Sequence, residues 1–276
     1  MEAPYRQVET ERVTADTHLI RQIWGEGFSP VAVYINSMVI TGAEPVVVDC
    51  GPKISGKAWM NEVFAVVEPE DVRWIFLSHE DHDHSGNLVE MLELCPNAKL
   101  VGTWFMAERF SAEHVLPFDR MRLVNDGERF SVGDRELVAV TPPVFDNPTT
   151  RGLFDPSTGV YWAVDSFGTP VTHDVRDINE LDEGFWREGF LQFARMVSPW
   201  HQWLDANRYA AHVDSIRRLG ATKITSAHGP TLHGAQLEAA FELSVQIPNM
   251  PAAPAPVQAD LDGMLAAMAA AAPAAA

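Results

Sequence analysis

Only two cysteines occur in 276 residues, Cys50 and Cys95, and no CxxC spacing joins them. A disulfide framework and a thiolate metal site are thereby disfavoured, and both thiols read as small core residues. Basic residues are scarce too: 20 Lys and Arg face 38 Asp and Glu, a formal charge of −18. Such a chain repels polyanions, which argues against nucleic acid or an anionic membrane as partner. No run approaches the roughly 18 apolar residues of a membrane span, and the segment Met1 to Arg6 lacks the apolar core of a signal peptide. A cytoplasmic location is expected. A glycine-rich phosphate loop and a GxSxG elbow are also missing, so the usual dinucleotide and covalent-serine chemistries have no support.

What is present is an ordinary globular composition, 46% hydrophobic and 21% charged, long enough for a full core. Strand-like runs span Leu19 to Trp24, Val31 to Ile40, Pro45 to Asp49, Val72 to Ser78, Lys99 to Gly102, Glu136 to Val140, Gly159 to Val164 and Thr222 to Thr225. Several are continuously apolar, the pattern of strands covered on both faces. Helical spacing lies between them in Trp59, Met60, Val63 and Val67, in Leu88, Met91, Leu92 and Cys95, and in Trp203, Ala206, Ala210 and Val213. These features predict an α/β domain over residues 1–247. From Pro248 the chain holds 13 Ala and 5 Pro in 29 residues, a tail over 248–276 expected to be disordered. Within it Leu261, Met264, Leu265 and Met268 share one helical face.

The densest chemistry is His79-Glu80-Asp81-His82-Asp83-His84, three imidazoles and three carboxylates in six positions, followed by Ser85-Gly86-Asn87. It stands directly after the apolar run ending at Ser78 and before the helical stripe that starts at Leu88. A tight strand-to-helix turn there projects its ligating side chains into one small volume, where open α/β folds place their sites. A solvated acidic loop is the plain alternative, but it has no need of such a cluster beside a buried strand.

This run resembles the HxHxDH signature of the metallo-β-lactamase superfamily. Further marks agree: Asp49 resembles its structural aspartate, Asp165 its bridging ligand, and His228 in Ala227-His228-Gly229 its last histidine. The likeness covers roughly residues 16 to 245 and implies an αββα sandwich, two mixed β-sheets flanked by helices. Here the second ligand position is Asp81, giving HxDxDH. A carboxylate there marks the flavodiiron and oxygen-binding di-iron branch, which carries HxExDH and a Phe-Gly pair after the bridging aspartate, as in Asp165-Ser166-Phe167-Gly168.

The chain departs from that branch twice. Asp81 is the shorter carboxylate, and the slot of a fifth-ligand histidine before Trp-Pro reads Phe145-Asp146-Asn147-Pro148. Alignment on Pro148, with the 19-residue step to Asp165, places Asp146 in that slot. Asp146 is then either a ligand or an Asx-turn aspartate before a proline-kinked loop. Alanine at Asp146 is expected to lower occupancy of one metal, and alanine at Asn147 is not.

The resemblance implies that His79, Asp81 and Asp146 hold one metal, that Asp83, His84 and His228 hold the other, and that Asp165 bridges. Three imidazoles, four carboxylates and no thiolate suit iron first, with manganese or zinc as alternatives. The cofactor expected is two divalent metal ions that bind or reduce dioxygen or nitric oxide. About 48 residues follow His228, too few for a flavin domain, so electrons are expected from a separate donor protein. A homodimer follows by analogy only. The alternatives are a binuclear hydrolase of an ester, thioester or phosphodiester, and a degenerate metal-binding sensor.

Other polar residues are set aside. His82 is out of phase with the ligand pattern and is expected to face solvent or a group that touches the ligands from behind. His173 and His233 fit a pocket mouth or an ordinary surface. His201 lies among aromatics and reads as packing, and His18 and Asp16, placed on an early loop, carry no signal.

Overall fold

The computed structural model describes residues 5–27 and 29–271, with side chains described through Ala267. Its first sheet holds β1 (Tyr5–Gln7), β2 (Glu11–Arg12), β3 (Thr17–Trp24), β4 (Val33–Ile40), β5 (Val46–Val48), β6 (Trp74–Phe76), β7 (Lys99–Gly102) and β8 (Met121–Leu123). The strand order is β1-β3-β4-β5-β6-β7-β8, with β2 paired to β3. The second sheet holds β9 (Arg129–Ser131), β10 (Glu136–Val140), β11 (Gly152–Asp155), β12 (Val160–Trp162), β13 (Lys223–Thr225) and β14 (Leu232–His233), ordered β14-β13-β12-β11-β10-β9.

Both sheets mix directions. Strands β5 to β8 run parallel, and β12 runs parallel to β13; the remaining pairs are antiparallel. Parallel neighbours need a crossover, and helices supply it. On the first sheet these are α1 (Gly56–Val66), α2 (His82–Ser85), α3 (Leu88–Leu94) and α4 (Trp104–Phe110). On the second they are α5 (Glu183–Val197) and α6 (Ala206–Arg217), while α7 (Ala235–Ser244) follows β14 and packs on the same face.

Three apolar layers make this a four-layer αββα sandwich, as expected. Side chains of a strand alternate between faces. Val39, Val47, Ile75 and Leu100 point outward and pack with Trp59, Val63, Leu88, Met91 and Met106 of the covering helices. Their neighbours Met38, Val46, Val48, Trp74, Phe76 and Val101 point inward against Leu137, Ala139, Leu153, Val160 and Trp162 of the second sheet. That sheet's other face packs Val138, Phe154, Tyr161 and Ile224 against Trp186, Phe190, Tyr209, Val213 and Phe241. Because both faces are dry, the strands read as unbroken apolar runs; each fully buried aliphatic side chain contributes about 1.5–3 kcal/mol.

All eight expected strands form: β7 and β10 match their runs, β3 is longer than its run, and the other five are shorter than theirs. The sequence reading passes over β1, β2, β8, β9, β11 and β14, which are at most four residues long and mostly partly polar, and over α4, α5 and α7. In α5 the aromatics Phe185, Trp186, Phe190 and Phe193, with two glycines, mask a helical stripe. His18 lies within β3 rather than on a loop.

The packed fold runs slightly beyond residue 247, since Ile247 and Pro248 are both buried. The tail is not wholly irregular either: Gln258–Ala271 form α8. Alanine, leucine and methionine are strong helix formers, and Asp260 caps the start by accepting from the Val257 N–H at 2.7 Å. Leu261, Met264 and Leu265 are exposed on it; the side chain of Met268 lies outside the described set.

Candidate metal centre

Strand ends from both sheets converge on one place. From the first sheet, β5 leads to Asp49 and β6 leads through Ser78 to His79 and the α2 turn. From the second, β12 leads to Asp165, β13 leads to His228, and the β10–β11 connection carries Asp146. These are the carboxyl ends of the parallel strands, as in other α/β sites.

The turn is clamped from behind. The Asn87 side chain donates to the carbonyls of Cys50, Gly51 and Pro52 at 2.7, 3.3 and 3.3 Å. Gly86 presses so close that a Cβ there would lie 2.3 Å from the Lys53 nitrogen and 2.7 Å from the Gly51 oxygen. Three non-glycine residues at the site take positive φ: Asp49 at 61°, Val164 at 59° and Phe167 at 62°. For β-branched Val164 that conformation is a genuine outlier, and such strain persists where the surrounding structure enforces it. Ser166 helps to enforce it, its hydroxyl donating to the Val144 carbonyl at 2.7 Å and accepting from the Val144 N–H at 2.9 Å.

All three imidazoles are oriented from the rear. His84 Nδ1 lies 2.9 Å from Asp49 Oδ2, and His228 Nδ1 lies 3.0 Å from the Tyr34 carbonyl. A carboxylate and a carbonyl can only accept, so in the neutral ring each Nδ1 carries the hydrogen and each Nε2 lone pair faces inward. Ser78 donates its hydroxyl proton to Asp49 Oδ2 at 2.8 Å and so can only accept from His79 Nδ1 at 3.1 Å. The same logic turns His79 Nε2 inward. Asp49 additionally receives the Ser78 N–H at 2.8 Å and the Trp162 indole at 3.2 Å.

The structure brings all seven predicted site residues together. They fall into three overlapping groups, His79–Asp81–Asp146, His79–His84–Asp165 and Asp83–His84–His228, with donor atoms in each within 4.8 Å of one another. His79 Nε2 is 3.5 Å from Asp81 and 3.8 Å from Asp146. His84 Nε2 is 3.5 Å from Asp83 and 3.2 Å from Asp165, and His228 Nε2 is 3.5 and 3.4 Å from the same two carboxylates. Asp165 therefore lies between His79 and the other pair.

The buried atoms fit cations. Both oxygens of Asp165 and His79 Nε2 are buried without a hydrogen-bond partner, a costly state unless something charged fills the gap. Titration behaviour agrees. Burial alone pulls the imidazoles of His79, His84 and His228 down, yet the facing carboxylates outweigh it and all three are raised. Burial pushes Asp165 up, and the surrounding imidazoles overcome it and hold it well below the carboxylate range. Partial burial and the charge of Asp165 push Asp146 up to about 6.

The two flanks differ in access. Asp81 and Asp146 have side chains 41% and 46% exposed, whereas His84 and Asp165 are sealed. A cleft of about 1030 Å³ opens beside Asp83, lined also by Tyr5, Trp24, Glu80, Arg109 and Phe110.

His82 is exposed and lines that cleft. His233 pairs with Asp177 at 3.2 Å, His173 is exposed beside Thr172, and His201 is wholly buried. None of these four joins the donor groups. Asn147 stands closer to the site than the sequence implies: its amide donates to Asp81 Oδ1 at 2.9 Å. Ser78 and the Tyr34 carbonyl also escape a sequence reading, the latter because a backbone oxygen leaves no residue-type signal.

A family model described as "ODP family beta lactamase" matches residues 33–229. The chain is 28% identical over 209 residues to a type A flavoprotein of Rhodobacter capsulatus, covering 71% of this chain and 45% of that one. It is 22% identical over 214 residues to a nitric oxide reductase of Moorella thermoacetica, covering 76% and 52%. Among solved structures, the rubredoxin oxygen:oxidoreductase of Desulfovibrio gigas superposes with a TM-score of 0.70 at 18% identity, over 86% of this chain and 61% of that one. The chain spans about a third to a half of the length of the curated relatives it matches. With the family model spanning well over half of its residues and the fold agreeing, the chain belongs to the ODP family of beta-lactamase-fold proteins.

Proposed function

We propose that this chain holds two divalent metal ions, iron by preference, and that it binds or reduces dioxygen or nitric oxide with electrons from a separate donor. The observation that carries this reading is the place of Asp165, which groups with His79 on one side and lies 3.2 and 3.4 Å from His84 and His228 on the other, its two buried oxygens without a hydrogen-bond partner. His79, Asp81 and Asp146 would hold one ion, Asp83, His84 and His228 the other, and Asp165 would contact both. Four carboxylates match the charge of two divalent ions, and an imidazole and carboxylate set without thiolate suits iron or manganese. When bound, such a pair supplies a redox centre at which a small diatomic molecule is held and reduced. Two similar proteins, a nitric oxide reductase and a rubredoxin oxygen:oxidoreductase, support that substrate class.

The protein's own part is orientation. Asp49, Ser78 and the Tyr34 carbonyl keep three Nε2 lone pairs aimed inward, so that no proton need be lost from Nε2 of a neutral ring on binding. The half-exposed Asp81 and Asp146 mark the flank from which a small molecule would enter.

Anaerobic loading with ferrous salt tests the proposal. Close to two irons per chain are expected, with an oxo-bridge absorption band on exposure to air. Two zinc ions held tightly against iron, together with turnover of a phosphodiester or thioester, would sink it in favour of a hydrolase.

A pH dependence follows from Asp146. A metal binds only the ionised carboxylate. Below its value of about 6 a proton must leave before metal enters; above that value this group adds no pH dependence. Affinity at the His79–Asp81–Asp146 position is thus expected to fall about tenfold or more between pH 7 and 5, and the raised imidazoles add to the fall. Competition with a chelator at the two pH values checks it. An unchanged affinity would remove Asp146 from the ligand set.

A further inference from the structure

The two departures from the family pattern, Asp81 and the Asp146-Asn147 pair, meet in space. Asn147 is buried, 7% exposed, and its Nδ2 donates to Asp81 Oδ1 at 2.9 Å. The amide cannot sit the other way round. Its Oδ1 accepts from two groups that can only donate, the Thr149 N–H at 3.0 Å and Arg109 Nη1 at 3.3 Å. The Thr149 hydroxyl, with a single proton, lies 2.6 Å from Glu80 Oε2 and 2.9 Å from Asn147 Oδ1, and Arg109 also donates to Glu80 Oε1 at 3.0 Å. Asn147 is therefore locked by Thr149 and Arg109, and Asp81 is held by Asn147.

Asp81 needs such a hold. With one methylene fewer than glutamate it reaches less far, and with a side chain 41% exposed it is the least confined carboxylate beside His79 after Asp146. Fixing Oδ1 on the amide leaves Oδ2 as the oxygen that faces His79 Nε2, at 3.5 Å. We infer that Asn147 is a positioning residue: it orients Asp81 for the metal at the His79 position, and the Asp81–Asn147 pair does here what a longer carboxylate does alone. The inference rests on the proposed two-metal reading. It predicts that the His79 position depends on Asn147 and that the Asp83–His84–His228 position does not.

Manganese(II) serves as the probe, its stoichiometry and affinities read by calorimetry and by electron paramagnetic resonance on the full chain. Asn147→Ala is expected to weaken one of the two ions by about 10- to 100-fold, the usual effect of losing a partner behind a ligand, while the other ion binds as before and reports an intact fold. Asn147→Asp, which keeps the shape and places an oxygen against Asp81, is expected to weaken the same ion at least as much. Asp81→Glu in the Asn147→Ala background is expected to restore most of the lost affinity. Two equally tight ions in Asn147→Ala, an equal loss of both, or no recovery on adding Asp81→Glu would each overturn the inference. Wild-type protein that binds fewer than two ions would instead overturn the two-metal reading itself.

Discussion

Alanine at Asp165 is expected to take metal content from two ions per chain toward none. Asp165 lies within reach of donor atoms in both halves of the site, 3.2 Å from His84 Nε2 and 3.4 Å from His228 Nε2, and it groups with His79 as well. It also supplies much of the negative charge that raises the three imidazoles. Removing it costs each ion a ligand and leaves the His79 position with one imidazole and two half-exposed carboxylates. Alanine at His79 should empty that position alone. Elemental analysis of the anaerobically loaded variants distinguishes the two cases, and an Asp165→Ala protein that keeps one ion at full occupancy would show that Asp165 is not shared.

The second large effect concerns the fold rather than the metals. Asp49 is fully buried and accepts from the Ser78 N–H, the Ser78 hydroxyl, His84 Nδ1 and the Trp162 indole. Asp49→Ala strands four buried donors from three elements, and it places alanine at a φ of 61°, where a Cβ is strained. Removing one partner from a buried charged cluster costs roughly 3–5 kcal/mol, which lowers the melting temperature of a protein of this size by roughly 6–20 °C. The measurement belongs on metal-free protein, so that loss of bound ions does not contribute. A shift below about 2 °C, less than 1 kcal/mol on that scale, would mean that Asp49 is a local ligand-orienting group and not a structural centre.

The legible parts of this protein are those where residue type alone carries the information. A β6 strand buried on both faces must be apolar throughout, so Trp74 to Phe76 announces itself, and a cluster such as His79 to His84 has few uses other than cations. Elements whose identity depends on a neighbour were silent. Strand β14, Leu232–His233, exists only because Ile224 pairs with Leu232 across the ladder. Helix α5 hides its stripe behind aromatics that pack equally well in strands. Asn147 illustrates the limit most clearly. By sequence it is the residue beside a candidate ligand, and its amide becomes significant only once folding brings Asp81, 66 positions away, within 2.9 Å.

By itself the sequence determined the sandwich class, the strand that carries the motif and the seven candidate side chains that the fold gathers, because hydrophobic periodicity and side-chain chemistry are properties of residues. Only the tertiary structure decided how those donors divide around Asp165, which nitrogen of each imidazole faces inward, and that Asp81 leans on Asn147. Those are relations between atoms on different strands, and they arise when two sheets close on each other and bury the Asp165 oxygens among imidazoles without a well-formed hydrogen bond.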